Sequence, residues 1–257
     1  MFTPGIVSVT FRELSIDKII CLCRENGLLA IEVGGDVHLR PGDLREAERI
    51  SALCRDAGVL PVSYGSYCRC EEKSGAEDVI NTAAALGAKN IRIWAGNIGS
   101  AALSGDLNLR NRANVAAAAR NFCRAAAKKE MSVSFEWHQN TLTDTLDSAL
   151  RLIEEINEPN LSLYWQPNQF RDFETNLSEL TAALPHVSNV HVFAWRGNDK
   201  FPLCEQAAEW ESYLSVLSSD GRERALLLEF MPNGKPEELV REAAALKSLI
   251  EGTSCKS

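Results

Sequence analysis

The feature that most constrains this chain is an alternation repeated eight times along it. Each repeat is a short run rich in β-branched and aromatic residues, followed by a longer stretch whose apolar residues recur every three to four positions. The short runs fall at residues 4–9, 28–33, 59–64, 90–94, 132–136, 161–165, 189–193 and 225–229, and the helical stretches at 16–25, 44–57, 76–86, 111–129, 146–156, 176–184, 205–218 and 236–251. Strands separated by helices cannot pair through tight reverse turns, so they lie parallel with right-handed crossovers. Eight such units in 257 residues close most economically into an α/β fold of the single (β/α)8 TIM barrel type, one domain over 1–257. An open doubly wound sheet is the less economical alternative.

The punctuation agrees with this division. Gly27, Gly58 and Gly87 follow the first three helices, where a left-handed cap residue is wanted. Ser15 and Thr143 sit where a side-chain oxygen can satisfy free amides at the next helix start. No stretch rich in Gly, Pro or Ser divides the chain.

In a parallel barrel, chemistry sits at the C-terminal ends of the strands. Those ends read Glu32 in IEVGGDVH, Glu136 in SFEWHQN, Gln166 in LYWQPNQ, His191 in NVHVFAW and Glu229 in LLLEFMP. The last four come from consecutive strands, which are neighbours around a closed barrel, and so they aim at one point above the core. An unpaired buried carboxylate costs several kcal/mol, and two of them need a shared cation. Carboxylate and amide oxygens with one imidazole suit a divalent Mn, Mg, Co or Zn ion. Glu32 is expected in a buried network beneath that point.

Around these positions the chain resembles the xylose-isomerase-like barrel superfamily, which includes sugar and sugar phosphate isomerases and epimerases and the endonuclease-IV-type repair enzymes. The resemblance rests on the order of strand ends, on Glu136-x-His138 followed by Asn140, Thr141 and Thr143, and on the segment from His191 through Pro202 to LLLEF. It implies a divalent ion held by Glu136, Gln166, His191 and Glu229. At the second of these the family has Asp, so the ligand set here carries one negative charge fewer. It further implies proton abstraction next to the carbonyl of a metal-chelated sugar, through an enediolate, with Glu136 and Glu229 as the catalytic pair flanking one carbon.

A base that also binds a cation works by proximity in a dry pocket. Tyr64, Tyr67, Trp94, Trp137, Trp165 and Trp195 lie at or just past strand ends and are placed to wall such a pocket. His38, Arg69, Arg92, His138, Arg196 and Lys200 fall in or near strand-to-helix loops, where they can read hydroxyls or a phosphate. The substrate-binding set expected from these is His38, Tyr64, Arg69, Trp94, His138, Trp165 and Arg196.

Composition removes other classes. With 27 basic against 35 acidic residues the net charge is −8, the wrong sign for generic phosphate-backbone binding, so nucleic acid is not an expected partner. Only four histidines are present, too few for the several clustered zinc ligands of a repair enzyme. No apolar run approaches the roughly 20 residues of a membrane span, and the start MFTPGIVSVTFREL lacks a basic secretory n-region, so no membrane association and a cytoplasmic location are expected. The eight cysteines lie mostly in apolar periodic segments and are read as reduced; Cys68 and Cys70 have no second pair to complete a zinc site. Alternatives on the same scaffold are an inosose-type dehydratase and a catalytically silent sugar-binding barrel. The expected partner is a small sugar or sugar phosphate, with homo-oligomerisation through the outer helices possible.

Overall fold

The computed structural model describes residues 1–70 and 75–254. Eight parallel strands close into a barrel: β1 (Phe2–Val7), β2 (Ala30–Gly34), β3 (Leu60–Gly65), β4 (Asn90–Ile93), β5 (Ser132–Glu136), β6 (Leu161–Trp165), β7 (Val187–Val192) and β8 (Arg224–Leu228). The seam is made by β1, which pairs with β8 from Phe2 opposite Arg224 to Ile6 opposite Leu228, and with β2 from Gly5 opposite Ala30. The helices are α1 (Ile16–Asn26), α2 (Leu44–Ala57), α3 (Ala76–Leu86), α4 (Gly105–Ala127), α5 (Leu146–Ile156), α6 (Phe173–Ala183), α7 (Ala207–Ser218) and α8 (Leu239–Ser254). The predicted barrel is the observed fold.

Residue alternation along each strand sorts side chains into two cores. Val133, Phe135, Leu163, Trp165, Leu226 and Leu228 point outward into the shell between sheet and helices. The barrel interior is divided. Val7, Ala30, Tyr164, Ala225 and Leu227 form an apolar patch on one side. Ser63, Asn90, Ser134 and Ser188 form a chain of hydrogen bonds on the other, at 3.1, 2.7 and 2.8 Å in that order. Above both layers the strands end in charged side chains.

Gly27, Gly58 and Gly87 adopt left-handed φ of 66°, 70° and 82° as expected of caps, and Ser15 Oγ accepts from Lys18 N. Thr143 is not the cap of α5. Thr145 accepts from Ser148 N instead, while Thr143 Oγ1 donates to the Glu136 carbonyl, 2.5 Å away. Helix α4 begins at Gly105, six residues before the predicted start, because Leu107 and Leu109 in its first two turns are 64% and 57% exposed and break the buried stripe on which a sequence reading depends. No helix among the described residues is long and apolar enough to cross a membrane. No disulfide joins the described cysteines; Cys255 lies outside the described residues.

Candidate active site

The inward-facing ends of β2, β4, β5 and β7, with the first residues past β6 and β8, place Glu32, Arg92, Glu136, His191, Gln166 and Glu229 at the barrel mouth. These residues follow the inward parity of their strands: in β5 Ser132, Ser134 and Glu136 share it, and in β8 Ala225 and Leu227 do, continued by Glu229 just past the strand.

His191 is fully buried at the centre of the group. Its Nδ1 lies 2.9 Å from Gln166 Oε1, 3.4 Å from Glu229 Oε2 and 3.9 Å from Glu136 Oε1. Glu136, His191 and Glu229 each present one ligand atom within 4.8 Å of the others. The Gln166 amide is oriented by its own donor group: Nε2 donates to the Trp137 carbonyl at 2.9 Å, which turns Oε1 toward the imidazole. Nε2 of His191 faces Glu32 Oε1 at 3.7 Å.

Beside this centre Arg92 is buried with two carboxylates. Its Nε donates to Glu32 Oε1 at 2.8 Å and its Nη1 donates to Glu136 Oε2. Burial alone would raise the Glu32 carboxyl, but the Arg92 guanidinium and His191 outweigh it and hold the group down at about 2. Burial would depress His191, yet Glu229, Glu32 and Glu136 together raise it. Burial pushes the Glu229 carboxyl up, with Glu136 adding to that and His191 and Arg92 opposing it.

A cavity of about 340 Å3 opens directly above, within the range of small-molecule sites. Tyr67, Trp94, Trp137, Trp195, Phe193 and Phe230 wall it, and Arg92, Glu136, Gln166 and Glu229 form its floor. His138 stacks on Trp94 at 4.3 Å between ring centroids, with Nδ1 beside the Gln139 carbonyl at 2.6 Å.

Of the expected substrate-binding residues, Trp94 and His138 line this cavity and the rest do not. Tyr64 and Trp165 face outward because each is one residue off the inward parity: Tyr64 OH donates to the Leu39 carbonyl, and Trp165 packs on Trp210 and Tyr213. His38 lies behind the wall, its ring nitrogens engaged by Ser8 Oγ at 2.9 Å and the Leu14 carbonyl at 3.2 Å. Arg69 backs the wall, its guanidinium 4.2 Å over the Trp94 ring. Arg196 is exposed on the antiparallel ribbon Trp195–Arg196/Asp199–Lys200, 3.5 Å from Glu209, and borders a neighbouring cleft.

Sequence reading did not single out Asp144, Asn168, Gln169 or Phe230, all of which line the cavity. The first three lie in strand-to-helix loops, where nothing in the pattern fixes which way a side chain points. Phe230 holds a left-handed φ of 45°, uncommon for a bulky residue, immediately after Glu229.

With this geometry in view, the chain matches the family model described as a xylose isomerase-like TIM barrel over residues 20–249, and it belongs to that family. It is 28% identical over 170 residues to a 3-dehydroshikimate dehydratase from Bacillus anthracis; the aligned stretch is 62% of this chain and 59% of that protein's length. The structure of the probable 3-DHS dehydratase AsbF from Bacillus anthracis superposes with a TM-score of 0.78 at 22% identity, covering 96% of this chain and 99% of that one. An L-ribulose 3-epimerase superposes with a TM-score of 0.76 at 15% identity, covering 100% and 97%. At these identities the two superpositions establish a shared fold.

The donor set fits the divalent ion that such barrels often use. Glu136, Gln166, His191 and Glu229 bring hard oxygens and one imidazole to a point, with Glu229 Oε2 3.4 Å from the imidazole.

Proposed function

We propose that this chain is a divalent-metal-dependent enzyme that removes a proton from the carbon beside a carbonyl in a polyhydroxylated substrate and returns it, as a sugar or sugar phosphate isomerase or epimerase. The observation that carries this reading is the pair of carboxylates, Glu136 and Glu229, converging beside His191 on the floor of a cavity whose walls are aromatic.

Glu136, Gln166, His191 and Glu229 would hold the ion. When bound it supplies a Lewis acid that polarises the substrate carbonyl and acidifies the adjacent C–H. Glu229, on the floor of the cavity 3.4 Å from His191, is the side chain suited to exchanging the substrate proton by proximity. Glu136 gives one oxygen to Arg92 and keeps the other toward the centre, where it is the second carboxylate an epimerase needs. The Trp94–His138 stack and the Trp195–Phe230 pair, with centroids 5.9 Å apart, present ring faces to substrate C–H surfaces and exclude water from the proton in transit.

Dehydration is the second reading, favoured by the likeness to the 3-dehydroshikimate dehydratase. It begins with the same proton removal and then loses a hydroxyl one carbon further on. One experiment addresses both. The protein is incubated in D2O with Mn2+, a panel of ketopentoses and ketohexoses, and 3-dehydroshikimate. Deuterium entering beside the carbonyl marks enolisation; the absorbance of an aromatic catechol formed from 3-dehydroshikimate marks dehydration. Glu229→Gln is expected to slow either by at least about 100-fold, and EDTA to abolish both. Full turnover by Glu229→Gln would overturn the base assignment.

A further inference from the structure

The metal reading leaves Arg92 without a part. It is not a ligand, and a fully buried guanidinium beside a cation site is unfavourable unless its charge is used. Among the described residues the buried charges at the barrel mouth are Glu32, Glu136, Glu229 and Arg92, with His191 neutral whenever the lone pair of its Nδ1 serves as a metal ligand. Three carboxylates against one guanidinium leave two negative charges, which one divalent cation neutralises. An Asp in place of Gln166 would leave one more.

The geometry gives Arg92 a second effect. Its guanidinium is held from behind by Glu32, on β2, and donates to one oxygen of Glu136, on β5. Glu136 therefore turns a single oxygen toward His191 and Glu229. Gly65 lies against the clamp, where a Cβ would sit 2.9 Å from Arg92 Nη2 and 3.0 Å from the Glu32 carboxyl carbon, so no space remains for the guanidinium to swing aside.

We infer that Arg92 is a positioning residue of this centre: by occupying one oxygen of Glu136 and balancing Glu32, it sets the buried cluster at the charge a single divalent cation cancels. The inference rests on the metal reading above, and Mn2+ alone is the probe. Mn2+ affinity is measured by isothermal titration calorimetry and by loss of the free-ion paramagnetic resonance signal, with circular dichroism confirming that each variant is folded. Arg92→Gln is expected to tighten Mn2+ by about tenfold or more, because a nearby positive charge is gone. Glu32→Gln is expected to weaken it by a similar factor, and Arg92→Lys to stay within about threefold of wild type. A purely structural Arg92 predicts the opposite sign, since a disordered Glu136 binds more weakly.

Folded Arg92→Gln that binds Mn2+ no more tightly than wild type overturns the inference, as does Glu32→Gln with unchanged affinity. Should Arg92→Gln fail to fold, the charge-balanced double variant Glu32→Gln/Arg92→Gln takes its place. It loses one charge of each sign and is expected within about threefold of wild type, and a tenfold departure counts against the assignment. Wild-type protein that binds no Mn2+ removes the metal reading itself, and this inference with it.

Discussion

At the scale of single residues, the site is a problem in sharing a small volume among charges. Glu32 and Arg92 are 0% and 2% exposed, and their contact survives only because Gly65 carries no side chain. Gly65→Ala would push a methyl group into both ends of the pair. Neither end can move into water, so the cost is that of overpacking, about 1–3 kcal/mol. Urea unfolding is expected to show that loss. A variant as stable as wild type would mean that the pair has more slack than the structure allows. That Glu136, Gln166, His191 and Glu229 meet at the barrel mouth was legible from sequence because each is the last inward residue of its strand or the next one out. The role of Arg92 was not. Its partners are 60 and 44 residues away in sequence, and the register across β2, β3, β4 and β5 is what sets them at one height.

At the scale of elements, the eight strand and helix pairs were readable because buried faces impose periods of two and about 3.6 on the sequence. What sequence reading lost was parity and punctuation. Tyr64 and Trp165 are aromatic and close a strand, which in the sequence alone points to pocket walls, yet Ser63 and Tyr164 are the inward members of those strands. A one-residue offset moves a side chain from the site to the helix shell. Where charge rather than pattern holds elements together, the link is testable. Arg224, 2% exposed at the start of β8, donates Nη1 to the Leu217 carbonyl at the end of α7 and Nε to the Val187 carbonyl at the start of β7, while Asp220 binds it through both oxygens at 2.7 and 2.6 Å. The hydrogen bond from Arg224 pulls the Asp220 carboxyl down to about 2, against an unfolded value near 4. A folded pKa below the unfolded one stabilises the protein above about pH 4, and the contribution fades as pH falls toward 2. Asp220→Asn should therefore cost about 1–3 kcal/mol at pH 7, measured by urea unfolding, and progressively less as the pH approaches 3. A penalty independent of pH would show that the amide's geometry, not the lost charge, is responsible.

At the scale of the whole molecule, the barrel gathers three carboxylates at one end of a closed β-cylinder and shields them from solvent behind an aromatic rim. Holding them there is a standing cost of the fold: burial, with Glu136 and Glu32 adding to it, pushes the Glu229 carboxyl up. A cation that binds the folded centre and not the unfolded chain relieves that cost and shifts the folding equilibrium by mass action. At a free Mn2+ concentration 100 times the dissociation constant, the gain is about 2.7 kcal/mol. For a chain of 257 residues, where about 1 kcal/mol moves Tm by roughly 2–4 °C, the melting temperature should rise by about 5–11 °C. Differential scanning calorimetry with Mn2+ and with EDTA measures this directly. Glu136→Gln/Glu229→Gln separates two causes: it removes both carboxylates, so the metal-free protein should melt no lower than wild type while the Mn2+ increment disappears. If the double variant keeps the increment, the ion is stabilising some other part of the barrel, and convergence at the mouth is a feature of packing rather than of metal binding.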